Sequence, residues 1–135
     1  MDPETTQILV IDNDAGRRQL SQRVLGEQGF AVTAVADGFS AIRAAGSRRF
    51  ALALAAVQLP GTLDGVATVR QLRARQPWLK VLFTGNAARQ PLWTDPDCDD
   101  FIAAPFRRRD LLGGVFELLQ RKAGDSGRRG RARAG

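Results

Sequence analysis

Phe50-Ala-Leu-Ala-Leu-Ala-Ala56-Val-Gln-Leu-Pro60-Gly-Thr-Leu-Asp64-Gly65 reads as a buried strand, a loop and a helix start in direct succession. The strand spans Phe50 to Ala56. Its small residues Ala51, Ala53, Ala55 and Ala56 suit a crowded central place in a sheet. Leu59-Pro60-Gly61 ends the strand, and Asp64 opens the helix that follows. In an α/β domain, ligands and reactive groups gather at the C-terminal ends of strands. The side chain in that place here is the methyl group of Ala56, which can neither act as a nucleophile nor bind a metal.

The same alternation extends both ways along the chain. Gln7-Ile-Leu-Val-Ile-Asp12 is a short β-branched run that closes on a carboxylate, as a buried parallel strand does. Asp14 caps a helix over about 15–28, with Leu20, Val24 and Leu25 on one face, and Gly29 stops it. Ala31 to Val35 is a second strand, Asp37-Gly38 a turn signal, and Phe39 to about Gly46 a short helix. The helix from Asp64 runs to about Arg75 and is ended by Pro77. Val81 to Thr84 is a fourth strand, with Gly85-Asn86 its exit turn, and residues 87–99 have no clear pattern. Phe101 to Ala104 is a fifth strand, stopped by Pro105. Arg109-Asp110 opens a last helix to about Lys122, weakened by Gly113-Gly114 at roughly 1 kcal/mol per glycine. Five βα units predict a three-layer, doubly wound, five-stranded parallel sheet, for which the flavodoxin-like order 2-1-3-4-5 is a standard winding.

Composition narrows the function classes. The chain has 135 residues, 44% hydrophobic and 25% charged, which is ordinary for one globular domain. It contains one cysteine, Cys98, and so no internal disulfide. It contains no histidine, which excludes histidine triads, histidine metal sites and phospho-histidine donors. The polar, acidic start and the lack of a long apolar run predict a cytoplasmic protein without a membrane span. The net charge of +6 is uneven: residues 121–135 hold six Lys/Arg and one acid, residues 1–120 hold 14 and 13. The expected organisation is a flexible 1–6, a domain over 7–122 and a disordered basic tail over 123–135.

The strand ends Asp12-Asn13-Asp14, Ala56, Thr84 and Ala103-Ala104-Pro105 converge on one crevice in such a fold. Ile8-Leu-Val-Ile-Asp-Asn-Asp14, Gln28-Gly-Phe30, Ala36-Asp-Gly38, Leu59-Pro-Gly61, Asp64-Gly65, Leu82-Phe-Thr-Gly85 and Pro105-Phe-Arg-Arg-Arg-Asp-Leu111 carry a likeness. In their order and spacing the chain resembles the receiver domains of two-component response regulators, a bacterial family, over about residues 7–121. The resemblance implies a module phosphorylated on an aspartate after the third strand. Two acids after the first strand help to hold Mg²⁺, and a Thr/Ser and a Lys bind the phosphoryl oxygens. A metal and an ammonium neutralise the transferring group.

Carried over by position, Asp12 fits the first acid and Thr84 the hydroxyl. Asn13 falls at the second acid, Ala56, four before Pro60, at the nucleophile, and Ala104 at the lysine. Asp14 and Asp64 read as helix caps rather than substitutes. The resemblance therefore implies a degenerate pseudo-receiver with the residual acidic pocket Asp12, Asn13 and Asp14 and the switch-like residues Thr84 and Phe101. No cofactor is expected beyond weak Mg²⁺ at Asp12, and no enzymatic activity.

The expected role is stand-alone, phosphorylation-independent protein interaction in a phosphorelay. The partner would be a sensor histidine kinase or another regulator, or a second copy of the chain. The resemblance implies docking on the first helix or on the side formed by the fourth helix, fifth strand and fifth helix, with Trp93, Arg107, Arg108 and Arg109 as candidate contacts. Three alternatives stand beside it: a conventional phosphorylated receiver with alanines engineered at 56 and 104, a nucleic-acid binder acting through the basic tail, and a small-molecule site in the emptied crevice.

Overall fold

The computed structural model describes residues 6–86 and 99–121. Expectations for residues 1–5, for most of the segment 87–99 including Trp93, and for the tail beyond Arg121 fall outside the described residues. Five strands, β1 (Gln7–Ile11), β2 (Ala31–Val35), β3 (Leu52–Ala56), β4 (Lys80–Gly85) and β5 (Asp99–Ala103), form one sheet in the order β2-β1-β3-β4-β5. Every pairing is parallel. The described helices are α1 (Ala15–Glu27), α2 (Gly38–Ala45), α3 (Gly65–Arg75) and α4 (Arg108–Gln120). The architecture is the doubly wound parallel sheet that the alternation predicts, in the flavodoxin-like order expected as its standard winding.

Strand periodicity sorts the core into two layers, because successive side chains point to opposite faces. Ile8 and Val10 of β1, Leu52 and Leu54 of β3, and Leu82 of β4 join Val24 and Leu25 of α1 and Leu111, Val115 and Leu118 of α4. Leu9, Ile11, Ala53, Ala55, Val81 and Phe83 face the other way, onto Ala41 and Ala45 of α2 and Val66, Val69 and Leu72 of α3. The three central strands are covered on both sides, which is why they read as near-continuous apolar runs.

Three aspartates start three helices. Asp14, Asp37 and Asp64 each accept from the backbone N–H three residues on, at 2.8–2.9 Å. Asp37-Gly38 is therefore the start of α2 and no free turn. Gly38 is buried, and a Cβ there would meet the Thr68 hydroxyl and Leu63, so its glycine lets α2 lie against α3. Gly29, at φ 94°, takes the left-handed conformation that ends the α1 turn.

Strand β5 begins two residues before the expected Phe101 and ends at Ala103, leaving Ala104 just beyond it. The acids Asp99 and Asp100 are loop-like in sequence, but each has an arginine partner. Arg73 reaches the buried Asp99 at 2.5 Å, and Arg121 reaches Asp100 at 3.4 Å. Arg121 also donates to Glu117 at 2.9 Å and to the Asp99 carbonyl at 3.2 Å, with its own side chain fully buried. It lies inside the expected 7–122 domain, although its charge counts with the basic run of residues 121–135. Helix α4 starts at Arg108, one residue before expectation, because the Asp110 carboxylate accepts from the Arg107 N–H at 3.0 Å.

Candidate functional site: a crevice at the strand ends

Parallel strands bring their C-terminal ends to one side of the sheet. There a crevice of about 420 Å³ is lined by Asn13, Arg17, Ala56, Thr84, Gly85 and Ala104, among others. Ala56 and Thr84 are neighbours in the β3–β4 register, and both are nearly fully buried. Ala104 donates its N–H to the Gly85 carbonyl at 2.7 Å and precedes Pro105 through a cis peptide bond. The end of β3 also supports α3: the Gly65 N–H donates to Val57 O at 2.8 Å. A Cβ on Gly65 would run into the carbonyl of Ala56, so this position requires glycine.

The first strand supplies Asp12, which is buried. Its carboxylate is taken by Arg17 in a two-pronged pair, Nε to Oδ2 at 2.6 Å and NH2 to Oδ1 at 3.0 Å. The Asp14 N–H adds a third donor at 3.0 Å, and Arg18 donates to the Asp12 carbonyl at 2.9 Å. The bond to Asp12 raises the Arg17 guanidinium above its ordinary pKa. Arg17 thus sits as a fixed cation in the crevice wall, two-thirds shielded from solvent.

Of the sequence-nominated residues, Asn13, Ala56, Thr84 and Ala104 line this crevice. Asp12 is held behind Arg17. Asp14 is exposed and caps α1 through the Arg17 N–H, a bond that holds its carboxyl below the ordinary 3.8. Phe101 is half-buried and packs against the α2–α3 side of the core. Arg107, Arg108 and Arg109 are exposed, and Arg108 pairs with Glu27 at 3.0 Å. Sequence reasoning missed Arg17. Its signal was its place: third after the Asp14 cap, so that the first turn of α1 swings its side chain back to the end of β1.

The residues present do not fit a divalent cation. Mg²⁺ asks for several hard oxygen ligands. Asp12 already has an arginine on both oxygens, Asn13 is neutral, and Ala56 offers no donor. Among the described residues, no three His, Cys, Asp or Glu side chains come together as a metal site.

This sheet order, with a crevice at the carboxyl ends of its strands, defines a flavodoxin-like α/β domain. The Response regulator receiver domain profile matches residues 8–115, and the chain belongs to that family. The transcriptional regulatory protein CseB of Streptomyces avermitilis is 32% identical over 126 residues, covering 92% of this chain and 53% of the relative. ResD of Bacillus subtilis, also a transcriptional regulatory protein, is 30% identical over 118 residues, covering 86% and 49%. The chain spans about half the length of the curated relatives it matches. Among solved structures, a response regulator receiver protein from Sinorhizobium medicae superposes with TM-score 0.76 at 26% identity, covering 87% of this chain and 97% of that one. The receiver domain of the sensor histidine kinase PA1611 from Pseudomonas aeruginosa, solved with magnesium in its active-site cleft, gives 0.73 at 27%, covering 84% and 97%. No helix among the described residues is long and apolar enough to cross a membrane.

Proposed function

We propose that this chain is a receiver domain that signals through protein contacts and without an aspartyl phosphate. The observation that carries the reading is the two-pronged Arg17–Asp12 pair, in a crevice that presents methyl groups at Ala56 and Ala104. Aspartyl phosphorylation needs a carboxylate nucleophile and cations to neutralise the arriving phosphoryl group. Ala56 provides no nucleophile. Asn13 and Ala104 remove an acid and an ammonium from the positions where the family resemblance places them. Arg17, the one cation among the described wall residues, is committed to Asp12, whose charge it balances.

A module of this kind acts in a two-component pathway by docking, in the cytoplasm, with a sensor histidine kinase or another regulator. The docking faces are α1, or the side built on β5 and α4, where Arg107, Arg108 and Arg109 are exposed. DNA contact is proposed only for basic residues beyond Arg121, in line with relatives named as transcriptional regulators.

Beryllofluoride with Mg²⁺ mimics a phosphoryl group on an aspartate. Added to the isotope-labelled full chain, it leaves the amide resonances of Asn13, Val57, Thr84 and Ala104 unmoved. Saturable shifts at these positions would overturn the reading.

A further inference from the structure

The opposite end of the sheet, where the strands begin, carries a surface that the crevice does not explain. A groove of about 420 Å³ opens there between the starts of β1, β3 and β4 and the last turns of α4. Phe30, Trp78, Phe116 and Leu119 make its lining largely apolar. Trp78 and Phe116 are more than a third exposed, which is unusual for large apolar side chains on one patch. Trp78 also lines an adjoining shallower depression of about 340 Å³, together with Arg48, Arg49 and Arg75.

These three arginines are exposed and form no ion pair with any described residue. The acids on neighbouring elements are already used: Asp99 by Arg73, Asp100 and Glu117 by Arg121, and Glu27 by Arg108. The loop that carries Arg48 and Arg49 is nevertheless fixed to the end of α3, where Arg75 sits. Gln76, buried at the end of α3, donates to the carbonyls of Ala45 and Arg48 at 3.1 and 2.7 Å, and accepts from the Phe50 N–H at 2.8 Å. The Trp78 indole donates to Phe50 O at 2.9 Å, and the Arg49 guanidinium lies 3.7 Å over its ring. An apolar groove beside a held cationic cluster that no described acid pairs with is preorganised for a ligand with the opposite charge and an apolar anchor.

We infer that this edge of the domain binds an acidic peptide segment of a partner protein, with an apolar side chain in the Phe30–Trp78–Phe116 groove and carboxylates on Arg48, Arg49 and Arg75. The inference does not rest on a silent crevice, since the two surfaces lie at opposite ends of the strands. A nucleic acid fits less well. Base stacking on Trp78 is blocked on the face that Arg49 covers, and a phosphate backbone has no use for the apolar groove.

The test titrates the isotope-labelled full chain with a blocked peptide, Glu-Glu-Leu-Phe-Glu-Glu, and follows the Trp78 indole N–H and the amides of Arg49 and Phe116. Controls replace Leu-Phe with Ser-Ser, replace every Glu with Lys, or substitute a short DNA duplex. The expected result is saturable shifts at those three sites, with binding about tenfold or more weaker for each control. The double variant Arg48→Glu, Arg75→Glu, both at exposed positions, keeps the dispersed spectrum and weakens binding by a similar factor. No saturable shift, shifts confined to residues 122–135, insensitivity to the double variant, or a duplex that binds as well at the same residues would each overturn it.

Discussion

Arg17 holds Asp12 through both carboxylate oxygens, at 2.6 and 3.0 Å, at the wall of the crevice where the strand ends converge. The pair spans the end of β1 and the first turn of α1, so it also ties the crevice wall to the helix beside it. Asp12 is buried and Arg17 is partly exposed, so removing one partner should cost less than in a fully buried pair but more than in a surface contact.

Removing the cation exposes that value. Arg17→Met should leave the Asp12 carboxylate buried without its charged partner. It should lower stability by about 1–3 kcal/mol at pH 7, read as a shift in the urea midpoint. Mg²⁺ binding should remain undetectable at millimolar concentration, because a single carboxylate is a poor site. A midpoint unchanged from wild type would mean the pair is incidental.

Acid should loosen two helix starts. Backbone N–H donation from Arg17 lowers the Asp14 pKa, and donation from Ser40 lowers that of Asp37. A folded pKa below the unfolded value gives stability that is present above the ordinary 3.8 and is lost as pH falls through the lower folded value. Asp14→Asn and Asp37→Asn should therefore flatten the fall in thermal midpoint below about pH 4. A pH profile identical to wild type in both variants would contradict the assignment.

Gln76 is a side chain whose loss should be felt far from itself. Its amide satisfies three backbone groups of the α2–β3 connection, two of them within a buried setting. Gln76→Leu keeps the bulk but orphans those groups, and should cost about 2–4 kcal/mol. Hydrogen exchange at the Phe50 amide should rise more than at the β1 amides. Uniform exchange changes across both would contradict a local fastening role.

The two glycines of α4 should behave oppositely. Gly113 is exposed with nothing near its missing Cβ, so Gly113→Ala should stabilise the domain by up to about 1 kcal/mol. At Gly114 a Cβ would stand 2.9 Å from Leu82 Cδ2, so Gly114→Ala should gain less or lose stability. Equal gains in urea melts would count against the packing of α4 on β4.

The central strands were legible because Ile8 to Ile11, Leu52 to Ala56 and Val81 to Phe83 are apolar on both faces; the alternation alone left their order open, and 2-1-3-4-5 entered as a standard winding. Helix starts were legible wherever Asp14, Asp37 or Asp64 could cap, although Asp37-Gly38 was disguised as a turn. What the sequence concealed were pairings across long separations. Asp99 and Asp100 look like loop residues until Arg73 and Arg121 are seen to neutralise them. Arg121 reads as the end of the last helix, and nothing in sequence shows that its side chain is buried against Asp99, Asp100 and Glu117. The crevice residues Ala56, Thr84 and Ala104 could be named from strand ends alone. Arg17 could not, because nothing in residue type separates it from the exposed arginines, and only the geometry of the first α1 turn brings it to Asp12.

The proposed closure of the crevice to phosphoryl chemistry is tested most directly by incubating the purified full chain with acetyl phosphate and Mg²⁺ and measuring intact mass, with hydroxylamine to cleave any acyl phosphate. The expected result is no mass gain. A hydroxylamine-labile gain of one phosphoryl group, localised to any aspartate, would contradict it.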